Sequence, residues 1–214
     1  MAPADPIPPA VFPDKAEART WARSLLRGVS PGDRIVLSLA AADRILNMES
    51  FREASLVLAF LSMPSEIDTS GVIRAALRSG KAVAAPRIED GDIVFAYLDG
   101  SWESLPRDAL GIPTPPAGAA ISPEDLRGRE VFALIPGLLF DPDGGRLGRG
   151  KGYYDRFLAS VISRLGSGSA GESGFFVPCG FCYGAQVVPR VPSGESDVRV
   201  PLVATEEGVF RAGR

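Results

Sequence analysis

Short, wholly apolar runs recur along this chain with helical stretches between them, and that alternation restricts its fold more than any other feature. Leu56 to Leu61 reads LVLAFL, Ala82 to Ala85 reads AVAA and stops at Pro86, and Val131 to Ile135 reads VFALI. Runs of this length without a polar residue suit strands covered on both faces. Phe175 to Tyr183 is expected as a further strand and Leu202 to Ala204 as a last short one. Ile93 to Leu98 follows a turn at Asp90-Gly91 and reads as an edge strand or hairpin arm. Helices are expected from the N-cap Asp14 to about Arg27, over Asp33 to Asn47, over Asp68 to Arg78 with Gly80 ending it, and over Tyr153 to Leu165. In the second helix Pro31 falls in the gap before it, and Ile35, Leu39, Ile45 and Leu46 recur at helical spacing as packing positions. Residues 1–13, with five prolines, read as an extended or disordered head. Segments 106–123 and 189–201 read as loops, and GSGSAGESG (166–174) as a flexible surface loop. The expected fold class is α/β: after the head, residues 14–214 form a single domain with a mostly parallel sheet covered by helices on both faces, a Rossmann-like three-layer arrangement. Ligands of such sheets sit outside the carboxyl ends of the strands.

Composition narrows the chemistry. The 214 residues include no histidine. That removes Ser-His-Asp and Cys-His nucleophiles, imidazole bases and His-ligated metals, and two cysteines cannot close a zinc site alone. Acids, bases and metal ligands must come from carboxylates, Lys, Tyr, Cys or backbone. A net charge of −3 argues against binding nucleic acid by bulk charge. The longest apolar run, Val131 to Phe140, is broken by Pro136 and Gly137 and is shorter than the roughly 20 residues that span a bilayer. With no secretory pattern at the N-terminus and few cysteines, the expected address is the cytoplasm. Cys179-Gly-Phe-Cys182 lies in a predicted strand, where residues three apart point to opposite faces, so it reads as two buried thiols rather than a redox pair.

The chemistry concentrates in LIPGLLFDPDGGRLGRGKGYYDRFLA, residues 134–159. A predicted strand feeds a loop containing Gly144, Gly145, Gly148, Gly150 and Gly152, and the loop feeds a helix. Arg146, Arg149 and Lys151 are interleaved, with no acid between Gly144 and Gly152. Glycines let backbone N–H groups approach a ligand closely, and a helix N-terminus adds partial positive charge, so these are the parts of a phosphate cradle. Gly145-x-x-x-x-Gly150-Lys151 follows most of the Walker A spacing, but Gly152 stands where a Ser or Thr would hold Mg²⁺. Tyr153 and Tyr154 are candidates for core packing or for a stacking wall. Asp155 is a candidate Mg²⁺ ligand or a helix-dipole partner.

The run RLGRGKGYYD (146–155) resembles the signature of the 5-formyltetrahydrofolate cyclo-ligases, also called methenyltetrahydrofolate synthetases. FLSMPSEIDT (60–69), GKAVAAPRI (80–88), GIPTP (111–115) and VPSGESDVRV (191–200) resemble further blocks of that family, in the same order. The similarity runs from about Lys15 to Val209. It implies ATP- and Mg²⁺-dependent cyclisation of 5-formyltetrahydrofolate to 5,10-methenyltetrahydrofolate, with ADP and phosphate released after the formyl oxygen is phosphorylated. The resemblance implies that Lys15 and Arg19 contact ATP and that Arg146, Leu147, Gly148, Arg149, Gly150, Lys151, Gly152, Tyr153 and Tyr154 wrap its phosphates. It implies that Arg149 and Lys151 neutralise transferred charge as catalytic cations, with Tyr153 beside the formyl group and pterin. Glu66 would accept from the pterin's donor edge and Leu61 would line that pocket. Asp155 and Asp197 would be the Mg²⁺ ligands. The implied partners are a folate and ATP, with no nucleic acid or membrane, and the expected state is a monomer. The alternative is a non-catalytic nucleotide- or sugar-phosphate-binding α/β protein, which needs neither Glu66 nor Tyr153.

Overall fold

A computed structural model describes residues 9, 11–109, 111–118, 120–165 and 174–213. Most of the expected head, and residues 166–173 of the expected surface loop, lie outside the described residues. Within the expected head, Phe12 is buried and packs edge-on against Trp21, with ring centroids 5.6 Å apart.

Helix α1 (Lys15–Gly28) starts where its cap requires, because the Asp14 carboxylate accepts from the backbone N–H of Ala16 and Glu17. Helix α2 (Pro31–Leu46) begins two residues before the expected Asp33. Ser30 caps it, and Pro31 occupies its first position, where a missing N–H costs nothing. Ile45 faces the core, but Ile35, Val36 and Leu39 are exposed, which corrects the expectation that Ile35 and Leu39 pack. A short helix α3 (Glu49–Glu53), which sequence analysis missed, leads into strand β1 (Leu56–Leu58). β1 is shorter than the expected Leu56–Leu61 run, whose remaining residues stay buried. Helix α4 (Ser70–Arg78) begins just after Asp68, whose carboxylate accepts from Ser70 N–H.

Strand β2 (Ala82–Glu89) runs straight through Pro86, where the sequence predicts a stop. Ala84 turns its carbonyl toward β1 and accepts from Ala59 N–H, so Pro86, two residues on, points its nitrogen the same way. β1 pairs with β2 only as far as Ala84, so that nitrogen has no ladder partner to lose. Strand β3 (Asp92–Leu98) returns antiparallel through the Asp90-Gly91 turn, whose φ values of 49° and 83° are those of a hairpin turn. The expected loop 106–123 contains the short edge strand β4 (Ala120–Ile121) and the start of a 3-10 turn, Pro123–Leu126.

The sheet order is completed by β5 (Glu130–Ile135), β8 (Phe175–Phe181), β9 (Leu202–Ala204) and β10 (Val209–Arg211). It reads β10-β9-β8-β5-β1-β2-β3-β4, parallel from β9 to β2 and antiparallel at both edges. Strand alternation sorts the core into two layers. Val57, Phe132 and Leu134 meet α1, α2 and α4 on one face, while Leu56, Leu58, Val131 and Ile135 meet Phe157, Leu158 and Val161 of α5 (Tyr153–Leu165) on the other. The expected three-layer α/β architecture is therefore the observed one. Fully burying one such side chain contributes about 1.5–3 kcal/mol, so each layer is a substantial anchor for the loops above it. Cys179 lies in the first layer and Cys182 in the second, both fully buried and free, as the strand geometry requires. Burial pushes the Cys179 thiol up to about 12 and raises Cys182 as well.

The glycine-rich segment is more structured than a loop. Strands β6 (Leu139–Phe140) and β7 (Arg146–Leu147) pair as a small hairpin beyond the end of β5. Its root is keyed to the main sheet by Phe140: a Cβ on Gly137 would lie 2.6 Å from that ring, and one on Gly180 would lie 2.5 Å from it. Its tip is held by the buried Asp141 carboxylate, which accepts from the N–H groups of Asp143, Gly145 and, across 50 residues of sequence, Val191. The carbonyl of Gly144 (φ 80°) accepts from the N–H of Val200, which ties the hairpin to the 189–201 segment.

Candidate active site

Two clefts are linked by the Arg149–Glu66 pair, the first lined by the chain from Leu147 to Gly152 and the second by Glu66. One, of about 620 Å³, is walled by Lys15, Arg19, Arg146, Leu147, Gly148, Gly150, Gly152, Asp155, Arg156 and the 195–198 segment. The other, of about 440 Å³, lies between α2 and α4 and is lined by Ile35, Leu39, Met63, Glu66 and Asp68, with Arg34, Arg74 and Arg107 among its cations.

The first cleft brings most of the sequence-predicted phosphate and metal residues together. Arg19 comes from α1, one turn after Lys15, and donates through Nε to the carbonyl of Gly148 at 3.0 Å, so helix and loop meet there. Lys15 Nζ sits 2.6 and 2.8 Å from the two carboxylate oxygens of Asp197, and Gly194 N–H also donates to that carboxylate. Burial raises the Asp197 carboxyl, but the Lys15 ammonium and the Gly194 N–H outweigh it and hold the group below its ordinary value. Arg146 is buried on β7. It donates from Nη2 to Asp155 at 2.6 Å and from Nη1 to Pro136 O, and its guanidinium carbon lies 5.9 Å from the centre of the Tyr154 ring. Asp155 also accepts from Val198 N–H. Two carboxylates thus stand in one cleft, each covered by a cation. Within it the Arg146 Nε is buried with no partner among the described residues.

Arg149, Lys151 and Tyr153 occupy the positions between the cleft-lining residues Gly148, Gly150 and Gly152 or just after them. Arg149 reaches away from the first cleft to Glu66 of the second, with Nε and Nη2 at 3.1 and 2.7 Å from one carboxylate oxygen. The other Glu66 oxygen accepts from Met63 N–H, and the Glu66 carbonyl accepts from the Tyr183 hydroxyl, so this acid is fixed on its own side. Lys151 is exposed, and its carbonyl accepts from Arg156. The Arg156 guanidinium lies 5.3 Å from the centre of the Tyr153 ring. The Tyr154 hydroxyl is buried without a partner among the described residues, and burial, reinforced by the Glu66 charge, raises its pKa. Leu61 is buried in the core and is not among the residues that line either cleft.

Asp155 and Asp197 fit a Mg²⁺ ion bound with phosphates, because Mg²⁺ takes oxygen ligands and commonly uses one or two carboxylates with several waters. Among the described residues no group of three or more Asp, Glu, Cys or His side chains forms a protein-only metal cage. Sequence analysis missed Asp141, Arg156, Tyr183 and the three arginines of the second cleft. Of these only Asp141 carries a local signal, since Asp-Pro-Asp-Gly-Gly is a turn sequence whose first Asp commonly caps its own backbone. Among the described residues no helix is long and apolar enough to cross a membrane.

The sequence model of the 5-formyltetrahydrofolate cyclo-ligase family matches residues 11–206. The chain is 27% identical over 197 residues to the 5-formyltetrahydrofolate cyclo-ligase of Mus musculus, covering 90% of this chain and 94% of that protein. It is 28% identical over 198 residues to the 5-formyltetrahydrofolate cyclo-ligase of Escherichia coli strain K12, covering 88% and 98%. The solution structure of Aquifex aeolicus 5,10-methenyltetrahydrofolate synthetase superposes with a TM-score of 0.75 at 27% identity, over 94% of this chain and 93% of that one. The mostly parallel sheet, the cation-bearing glycine-rich segment beside the first cleft and the match along nearly the whole chain converge: this protein belongs to the 5-formyltetrahydrofolate cyclo-ligase family.

Proposed function

We propose that this chain cyclises 5-formyltetrahydrofolate to 5,10-methenyltetrahydrofolate, with ATP, bound as its Mg²⁺ complex, split to ADP and phosphate. The observation that carries the reading is the Arg149–Glu66 pair. It joins a cleft built for anions to a cleft whose nearest group is a fixed acid. A bare nucleotide or sugar-phosphate binder leaves the second cleft and Glu66 without a task.

In this reading Glu66, held by Met63, accepts from the 2-amino-4-oxo edge of the pterin, and Tyr153 lies by the formyl group. Lys15, Arg19 and the loop from Arg146 to Tyr154 receive the triphosphate. Asp155 and Asp197 would hold Mg²⁺, and Lys15 and Arg146, which cover them in this structure, would turn to the phosphates. ATP supplies the phosphoryl group that converts the formyl oxygen into a leaving group, and Mg²⁺ screens the phosphate charge. Arg149 and Lys151 stabilise charge on the transferring oxygens, which is the main protein contribution to phosphoryl transfer. Nitrogen-10 then closes the ring as phosphate departs. That step is intramolecular and gains from a held geometry. No histidine is needed at any step, which agrees with the composition.

The test is absorbance in the methenyltetrahydrofolate band with 5-formyltetrahydrofolate, Mg²⁺ and ATP. An ATP-dependent rise is expected, and its absence in folded protein would sink the reading.

A further inference from the structure

We propose that Tyr183 is a positioning residue for Glu66: its hydroxyl fixes the turn that presents the Glu66 carboxylate to the second cleft, and so governs folate affinity through that acid. The inference rests on the folate reading of the cleft. Tyr183 is not among the residues that line either cleft, and it lies outside every block that carries the family resemblance. By pattern alone it reads as the last residue of a strand.

The segment that carries Glu66 is closed on itself. Thr69 N–H donates to Ser62 Oγ at 3.0 Å, and the Thr69 hydroxyl donates to Phe60 O at 2.7 Å. Between those ends Glu66 N–H donates to Met63 O at 2.9 Å, while Met63 N–H donates to Glu66 Oε2 at 3.0 Å. Residues 63–66 thus form one reverse turn capped by its own acid. These bonds fix the shape of the turn. They do not fix its tilt against the sheet. Arg34 holds it from the exposed side, with Nη1 donating to Pro64 O at 2.8 Å. From the inner side the Tyr183 hydroxyl donates to the Glu66 carbonyl at 3.0 Å, across 117 residues of sequence. That carbonyl and the carboxylate belong to one residue, so holding the first sets the point from which the second projects.

The span is long for one side chain. Tyr183 stands just past the end of β8 and Glu66 beyond the end of β1, with β5 between the two strands. Two strand spacings are about 10 Å, so the hydroxyl at the far end of the ring makes the connection. A phenylalanine there has no donor to complete it. The Tyr183 ring is buried in the core and its backbone is anchored by Gln186. Gln186 Oε1 accepts from Tyr183 N–H at 2.9 Å, and Gln186 Nε2 donates to Gly137 O and Leu138 O, each at 3.0 Å. Those two carbonyls lie at the root of the glycine-rich hairpin, so one buried bridge registers the acid of the second cleft with the element that lines the first. The phenol is braced from α2 as well. Asp68 N–H donates to Ser38 Oγ at 2.9 Å, and Ser38 bonds to the phenol. Burial raises the Tyr183 phenol, and the bond from Ser38 only partly offsets this, so the hydroxyl keeps its proton and donates throughout the neutral range.

Titration calorimetry with 5-formyltetrahydrofolate tests this as a double-mutant cycle of Tyr183→Phe and Glu66→Gln. Glu66→Gln keeps an acceptor for Met63 N–H and removes the charge offered to the pterin, so it should weaken folate binding about tenfold. Tyr183→Phe should weaken it about threefold to tenfold, because the released turn spends less time in the binding arrangement and the apparent affinity falls by that fraction. In the Glu66→Gln background the same change should alter affinity by less than about twofold, since it acts through that carboxylate. In turnover Tyr183→Phe should raise the KM for folate while kcat and the KM for ATP hold. Ser38→Ala, which leaves the phenol in place without its brace, should move the folate KM in the same direction by a smaller factor. Unchanged folate affinity in folded Tyr183→Phe, a loss as large without the Glu66 carboxylate as with it, or an equal rise in both KM values would overturn the proposal and leave the folate reading standing. Unchanged affinity in Glu66→Gln would instead remove the pterin role of Glu66 assigned above, and this proposal with it.

Discussion

Arg149 Nη2 lies 2.7 Å from Glu66 Oε1, so a cation from the glycine-rich loop occupies an acid that lines the second cleft, the one proposed for the folate. A folate that takes Glu66 must displace Arg149. Arg149→Ala removes that competitor. The variant is expected to bind 5-formyltetrahydrofolate as tightly as the wild type or up to about fivefold more tightly, the range of a partly exposed ion pair, while losing turnover. Calorimetry beside the absorbance assay separates the two effects. Weaker folate binding would mean that Arg149 is part of the folate site itself.

Lys151 is exposed on the loop and serves no structural contact through its ammonium among the described residues. Lys151→Ala should therefore leave the unfolding free energy within about 0.5 kcal/mol of wild type. It should lower kcat by about 10²–10³, the loss typical of one positioned charge in a transition state. Unchanged turnover would take the loop out of phosphoryl transfer.

Asp155 answers the buried Arg146 guanidinium, whose side chain is 2% exposed. Asp155→Asn leaves that charge uncompensated. Removing one partner of a buried pair costs about 3–5 kcal/mol, so a fall of that order is expected in urea unfolding. A fall below about 1 kcal/mol would show that the Pro136 carbonyl and the Tyr154 ring suffice to hold Arg146.

The Asp197 carboxyl is held below its ordinary value of 3.8, so the folded state favours its charged form. The stabilisation it contributes is full above that value and disappears as pH falls through the lower folded pKa. Asp197→Asn should flatten the acid limb of the stability curve below about pH 4 and leave its alkaline side unchanged. An acid limb of the same steepness would assign the dependence to other carboxylates.

Cys179 and Cys182 are buried and shifted up, so the folded protein keeps both neutral. Their contribution is full below the ordinary thiol value of 9.0 and is lost as pH rises above it, because the unfolded chain ionises first. At pH 8 an aromatic disulfide reagent should label neither thiol at the rate of an exposed cysteine, and urea should release both together. Rapid labelling of native protein would contradict the packing of β8.

The layers were legible because strand alternation is local. Leu56 and Leu58 against Val57 already assign two faces, and β5 repeats the pattern. Helical spacing in α2 was equally clear, but spacing gives a stripe and not its neighbour: Ile35 and Leu39 front a cleft instead of a core. β10, three residues long, has no period to detect. The hairpin of β6 and β7 is hidden for the same reason, and its brace from Asp141 to Val191 crosses 50 residues that no local pattern links. Within the candidate site, residue types and the glycine-cation spacing were readable from sequence. The pairings Lys15–Asp197, Arg146–Asp155 and Arg149–Glu66 were not, because each depends on elements brought together only by the sheet.

The Phe140 ring fills the space that side chains at Gly137 and Gly180 would need, which has a consequence for motion. A hairpin wedged at its root cannot swing there as a rigid flap. Asp141 and the Gly144–Val200 contact anchor its tip in turn. Rearrangement on ligand entry is left to the short stretch from Gly148 to Gly152, whose alternate glycines supply the pivots and whose Arg149 and Lys151 are the side chains carried. The moving part is thus a handful of residues bearing two charges, hung between a braced hairpin and the first turn of α5, and its travel is set by the reach of an arginine rather than by a domain closing.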